Sequence, residues 1–217
     1  MNNNLTDITV VLDRSSSMSS VAGKTIEGFN SFLDTQKSAQ GSANITLVQF
    51  NTSYDVVIPT SDIQKAPPLT TRTFIPSGTT ALLDAVGRAV TETGARLAAM
   101  PESERPGKVV FVALTDGEEN SSSEWTWEKV SALITQQEKQ YAWEFVFLGA
   151  NIDAIATGAK LGVKGVNSMT YAHTDSGTTK AFASVGNNLK AFRGGMKCDV
   201  SYTMEDRAEQ DKELHAT

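Results

Sequence analysis

Three short segments of the 217-residue chain carry side chains whose types and spacing suit one kind of chemistry. Asp13-Arg14-Ser15-Ser16-Ser17 sets a carboxylate and two hydroxyls at alternate positions, and a nearly extended loop points alternate side chains the same way. Ser77-Gly78-Thr79-Thr80 adds hydroxyls, and Thr115-Asp116-Gly117-Glu118-Glu119-Asn120 adds a second carboxylate. Asp13, Ser15, Ser17, Thr79 and Asp116 together offer two carboxylates and three hydroxyls, with no sulfur and no imidazole. That donor set suits a hard cation such as Mg2+, which prefers six oxygens and keeps some of its water. Without a cation, two carboxylates about 5 Å apart would repel by roughly 3 kcal/mol at an effective dielectric near 20. Each segment also has a plainer use: Ser-rich turns cap helices, Thr79 or Thr80 can cap the helix that follows, and Asp116-Gly117 can form a simple turn.

Hydrophobic patterning indicates what must hold these segments. Short β-rich apolar runs predict strands over residues 6–12, 45–50, 54–58, 108–115, 143–148 and 166–171. Apolar residues at helical spacing predict helices over 21–39, 80–100, around 127–134, 152–161 and 178–192, the last capped by Gly194-Gly195. The second and third strands are separated only by Asn51, Thr52 and Ser53, which requires an antiparallel hairpin. The remaining strands are joined through helices, which requires parallel pairing. The expected fold class is α/β: an open, doubly wound, mostly parallel six-stranded sheet with one antiparallel edge strand and helices on both faces. In such a sheet ligands bind outside the carboxyl ends of the strands, where all three oxygen-rich segments fall.

The Asp13-x-Ser15-x-Ser17 run, the later Thr79 and the Asp116-Gly117 pair resemble the metal-ion-dependent adhesion site of von Willebrand factor type A domains. The likeness covers about residues 5–195 and extends to element order. It implies that Asp13, Ser15, Ser17, Thr79 and Asp116 hold Mg2+, or Mn2+ in its place, directly or through water. It further implies recognition rather than turnover, with an Asp or Glu of a partner protein filling an open coordination position. Arg14, Ser16, Met18, Asn51, Tyr54, Gly78, Gly117, Glu118, Glu119 and Asn120 are the expected rim that selects the partner. Phe147-Leu148-Gly149-Ala150-Asn151 also resembles the fifth-strand end of small stand-alone bacterial and phage members.

Composition narrows the alternatives. Lys and Arg total 19 against 25 Asp and Glu, a net charge of −6, which disfavours broad nucleic-acid binding. Cys198 is the lone cysteine, so no internal disulfide forms, and with only His173 and His215 beside it a zinc-finger ligand set cannot be assembled. His173 is expected to make a structural hydrogen bond. The first residues lack a basic secretory n-region, and the longest apolar run, 109–114, is far too short to span a membrane, so a cytoplasmic location is expected. Residues 1–196 are expected to form the domain, and 197–217 an acidic tail or short helix. Gly23-Lys24-Thr25 lacks the upstream glycine of a phosphate loop, and no Gly-x-Ser-x-Gly elbow occurs. The competing enzyme reading is a haloacid-dehalogenase-like phosphatase, with Asp13 as nucleophile and Lys108 and Asp116 as later motifs; Ser15 stands where its second Asp should be. A metal-free scaffold that keeps only the fold is the other competitor.

Overall fold

The structure, a computed structural model, describes residues 1–215. Its strands are β1 (Asn2–Asp13), β2 (Ser42–Phe50), β3 (Tyr54–Asp62), β4 (Pro106–Thr115), β5 (Glu144–Ala150) and β6 (Ser168–Tyr171). Its helices are α1 (Ala22–Lys37), α2 (Leu82–Ala98), α3 (Trp127–Tyr141), α4 (Ala154–Leu161), α5 (Asp175–Arg193) and α6 (Met204–Leu214). The sheet runs β3-β2-β1-β4-β5-β6, parallel throughout except for the β2–β3 hairpin at one edge. The expected architecture is the observed one.

Strand alternation divides the apolar residues between two layers. Ile8, Val10 and Leu12 of β1 face α1 and α5, meeting Phe29, Phe32, Leu33, Phe182, Val185 and Leu189. Val11 of β1, with Phe111, Phe145 and Phe147 of β4 and β5, faces α2, α3 and α4. Each fully buried Val, Leu or Phe contributes about 1.5–3 kcal/mol, so the central strands are fixed by burial on both faces. This leaves the carboxyl ends of β1 and β4 side by side, with Leu12 opposite Leu114.

Several local expectations change. β1 starts at Asn2 rather than residue 6, because Asn2 pairs with Pro106 at the start of β4. The segment after β1 is not extended throughout: Ser15 is extended, but Ser16–Val21 winds into a 3₁₀ turn that leads into α1. As expected, the Gly194-Gly195 pair ends α5: Gly194 is its C-cap and Gly195 takes the left-handed conformation, with φ +73°. Of the two possibilities for the acidic C-terminal segment, Met204–Leu214 forms a helix. Ala216 and Thr217 lie outside the described residues. The α6 helix packs on α5 and beside β6. There Arg207 donates to the carbonyls of Ser168 (2.9 Å) and Gly165 (3.0 Å), covering an otherwise unpaired strand edge. Among the described residues no helix is long and apolar enough to cross a membrane.

Candidate metal centre

The site assembles where β1 and β4 end. Asp13 is the last residue of β1 and is fully buried. Its Oδ1 accepts from the Ser15 backbone N–H at 2.6 Å, and its Oδ2 accepts from Thr115 Oγ1 at 2.5 Å. Asp116 follows β4 and is 6 % exposed. Its Oδ1 accepts from Ser17 Oγ at 2.7 Å and faces Ser15 Oγ at 3.4 Å, while the two serine hydroxyls are 2.9 Å apart. Residues separated by about a hundred positions thus share one hydrogen-bonded cluster. Ser15 is buried and Ser17 is exposed, so the cluster opens to solvent on the serine side.

Backbone bonds tie the neighbouring loops to this cluster. Arg14 N–H donates to Phe50 O (2.7 Å), Ser77 N–H to Arg14 O (2.8 Å) and Ser16 N–H to Gly78 O (3.1 Å). Gly78 needs its freedom: it has φ +74°, and a Cβ there would lie 2.7 Å from Thr52 Oγ1. The two threonines that follow are placed differently. Thr79 is exposed and turned away; its N–H donates to Thr52 Oγ1 at 3.1 Å, and the two hydroxyls are 3.0 Å apart. Thr80 is buried, anchored through its N–H to Asn120 Oδ1 (2.9 Å) and through its carbonyl to Asn120 N–H (3.1 Å). Its hydroxyl and that of Ser17 lie 3.6 and 3.9 Å from the point a Cβ on Gly117 would occupy. Of the two threonines, Thr80 thus lies beside Gly117 and Ser17, whereas Thr79, the expected ligand, pairs with Thr52 at the surface.

The expected rim divides. Arg14, Ser16, Gly78, Gly117, Glu118 and Asn120 lie at the surface or partly exposed beside the cluster. Arg14 forms an ion pair with Asp55. Met18 does not belong to the rim: it is wholly buried in the core, because the 3₁₀ turn rotates it inward. Asn51 is buried, and its amide donates to Ser77 O at 2.7 Å, bracing two loops. Tyr54 is spent on Glu92 (2.9 Å) and lies under the Arg88 guanidinium. Glu119 is also structural: it accepts from the N–H groups of Leu83, Ser121 and Ser122, at the start of α2 and in its own loop.

Sequence reading did not find the partners that brace this loop. Asp84 accepts from the N–H groups of Ser123, Glu124 and Trp125 at 2.8–3.0 Å. Trp125 packs so closely on Gly87 that a Cβ there would fall 2.2 Å from its ring. Only Asp84's position in the first turn of a helix hinted at a capping use. Lys108, required by the phosphatase reading, lies near the opposite end of β4. Its ammonium donates to the carbonyls of Phe192 (2.7 Å) and Arg193 (3.1 Å), leaving that reading without its lysine.

The charge balance of the cluster fits a cation. Burial, opposed by hydrogen bonds from Thr115 and Ser15 and assisted by the Asp116 charge, raises the Asp13 carboxyl from 3.8 to about 6. Burial and then the charges of Asp116 and Asp13 push the Tyr171 phenol well above its usual range. Among the described residues no lysine or arginine pairs with either carboxylate. No group of three or more His, Cys, Asp or Glu occurs there either, so a cation would depend on the hydroxyls of Ser15, Ser17 and Thr80 for the rest of its protein ligands. Hard oxygens alone are what Mg2+ accepts.

A family model of the von Willebrand factor type A domain matches residues 7–184. Among solved structures, the pilus adhesin SpaC of Lactobacillus rhamnosus GG superposes with a TM-score of 0.64 at 14 % identity, covering 88 % of this chain and 30 % of that one. Proximal thread matrix protein 1 of the mussel byssus gives 0.58 at 18 %, covering 88 % and 47 %. The vWF domain of the type V pili tip protein Mfa5 from Porphyromonas gingivalis gives 0.58 at 11 %, covering 85 % and 94 %. No curated protein matches the sequence. The chain spans less than half the length of the mussel and Lactobacillus proteins, and these identities speak for the fold alone. With the family model matched over most of its length and the same fold in its structural neighbours, this chain belongs to the von Willebrand factor type A domain family.

Proposed function

We propose that the chain is a metal-dependent protein-recognition module rather than an enzyme. Asp13, Ser15, Ser17, Thr80 and Asp116 would hold Mg2+, or Mn2+ in its place. When bound, the ion supplies an electrophilic position to which an Asp or Glu side chain of a partner protein can add. The protein's own part is to preorganise oxygens. Ser15 N–H and Thr115 Oγ1 fix both oxygens of Asp13, and the serine pair orients Asp116 Oδ1. Neutral hydroxyls leave the cation's charge incompletely balanced, which favours an incoming carboxylate.

The observation that carries this reading is the 2.7 Å contact between Ser17 Oγ and Asp116 Oδ1, beside a second carboxylate without a basic partner. Adhesive relatives in fold, SpaC among them, support the recognition half of it. The test is calorimetric titration of MgCl2 and MnCl2 into the wild type and Asp13→Ala. Saturable one-to-one binding that the substitution abolishes is expected. A wild type silent to both ions at millimolar concentration would refute the metal, and retention of the same partner proteins in EDTA would refute the bridging carboxylate.

A further inference from the structure

The loop between β6 and α5 approaches the cluster from its buried side. His173 Nε2 lies 3.1 Å from Asp116 Oδ2, with the Asp116 side chain fully buried and that of His173 15 % exposed. Neither atom has an aligned hydrogen-bonding partner among the described residues, so each is the polar contact available to the other. Asp116 is thereby divided: Oδ1 faces the serine hydroxyls and Oδ2 faces an imidazole. A carboxylate turns easily about its last side-chain bond, and one oxygen held by hydroxyls does not set its plane. An imidazole nitrogen 3.1 Å from the other oxygen supplies the second restraint.

His173 is itself held from two directions. Tyr171, paired with Ala150, ends β6 just before it, and Thr174 caps α5 just after it, accepting from Gly177 N–H at 3.0 Å. Between them Gln210 of α6 acts as a clamp. Its Oε1 accepts from Ala172 N–H (3.3 Å) and its Nε2 donates to Gly177 O (3.1 Å), with the side chain buried. Gly177 lets the start of α5 pack against Ala172, because a Cβ there would lie 2.2 Å from Ala172 O.

We infer that His173 is a positioning residue of the metal centre: it sets the plane of Asp116 from the buried side, and α6 holds it there through Gln210. The inference rests on the metal reading proposed above. Partners that orient a ligating carboxylate typically matter by 10–100-fold in metal affinity. The experiment is calorimetric titration of MnCl2 and MgCl2 into the full chain as wild type, His173→Ala, His173→Gln and Gln210→Ala. His173→Ala should weaken both ions by about 10-fold at unchanged stoichiometry. His173→Gln, whose amide can place a donor near the Nε2 position, should recover most of that loss, and Gln210→Ala should fall between. Melting in EDTA identifies any variant that fails to fold, and His173→Gln and Gln210→Ala then carry the comparison. Binding by His173→Ala equal to wild type overturns the inference and leaves the metal reading standing. Failure of His173→Gln to rescue, or a loss confined to Mn2+, also overturns it, because the imidazole would then be a direct ligand. No binding by the wild type removes the metal reading and this inference together.

Discussion

Asp7 and Asp13 lie on the same strand, six residues apart and on the same face, yet the fold treats them in opposite ways. Asp7 is buried and receives a two-pronged Arg96, at 2.7 and 3.0 Å. Near the same end of the sheet, Lys108 satisfies the last carbonyls of α5, and the Arg193 guanidinium donates to Gln36 O and Gly41 O. Asp13, at the other end, meets only hydroxyl and backbone donors, beside a second carboxylate. The chain pairs a buried carboxylate with an arginine at one end and leaves two carboxylates without a lysine or arginine at the other, a contrast that the proposed cation would account for. Burying a charge is expensive enough that the difference calls for such a reason.

Substitutions should separate the two ends, first in size and then in sign. Asp7→Ala leaves Arg96 facing a buried, vacated partner. Because the Arg96 side chain is 29 % exposed, the loss should be about 2–3 kcal/mol, below the 3–5 of a fully buried pair. Chemical denaturation should show it, and a loss under 1 kcal/mol would remove the contrast. Asp13→Asn should do the reverse without metal, raising stability in EDTA at neutral pH by about 1–2 kcal/mol, since it removes a buried negative charge while keeping an acceptor. A lower melting temperature than wild type in EDTA would contradict this.

The pH dependence sharpens the same point. Asp13 titrates near 6 when folded against 3.8 ordinarily, so the folded metal-free chain takes up its proton more readily than the unfolded one. Its contribution to stability therefore increases as pH falls through about 6 and levels off below 3.8. The advantage of Asp13→Asn in EDTA should shrink over that window, as urea midpoints at pH 7.5 and 5 would reveal. The smallest effect belongs to α6. Burial raises the Asp206 carboxyl, but hydrogen bonds from Ser184, Asn188 and Thr203 outweigh it and the net direction is downward. Its support is present above the ordinary carboxyl range and is lost as pH falls below it. Asp206→Asn should cost about 1 kcal/mol or less at neutral pH and accelerate amide exchange in α6 alone. Exchange accelerated equally in the β4 core would mean that α6 does not open independently.

The order of strands and helices was legible because each central strand is a short apolar run and each helix carries its own apolar stripe, signals that need no knowledge of the fold. Asp13, Ser15, Ser17 and Asp116 were legible for a related reason: they directly follow such strands, and the ends of parallel strands share one edge. Residue-level direction was not. Thr79 pairs with Thr52 at the surface while Thr80 is buried, the 3₁₀ turn buries Met18, and the loop bonds take up Asn51 and Glu119. None of these leaves a period in the sequence.

What the chain determined by itself was therefore the sheet and the strand ends that gather its oxygens, since hydrophobic periodicity and strand polarity are local properties. The tertiary structure alone decided that Arg96 reaches Asp7 across 89 positions, that His173 turns toward Asp116, and that Thr80 rather than its neighbour lies beside Gly117 and Ser17. Those pairings depend on where packed layers bring distant side chains and on the twist of individual loops, and sequence spacing encodes neither.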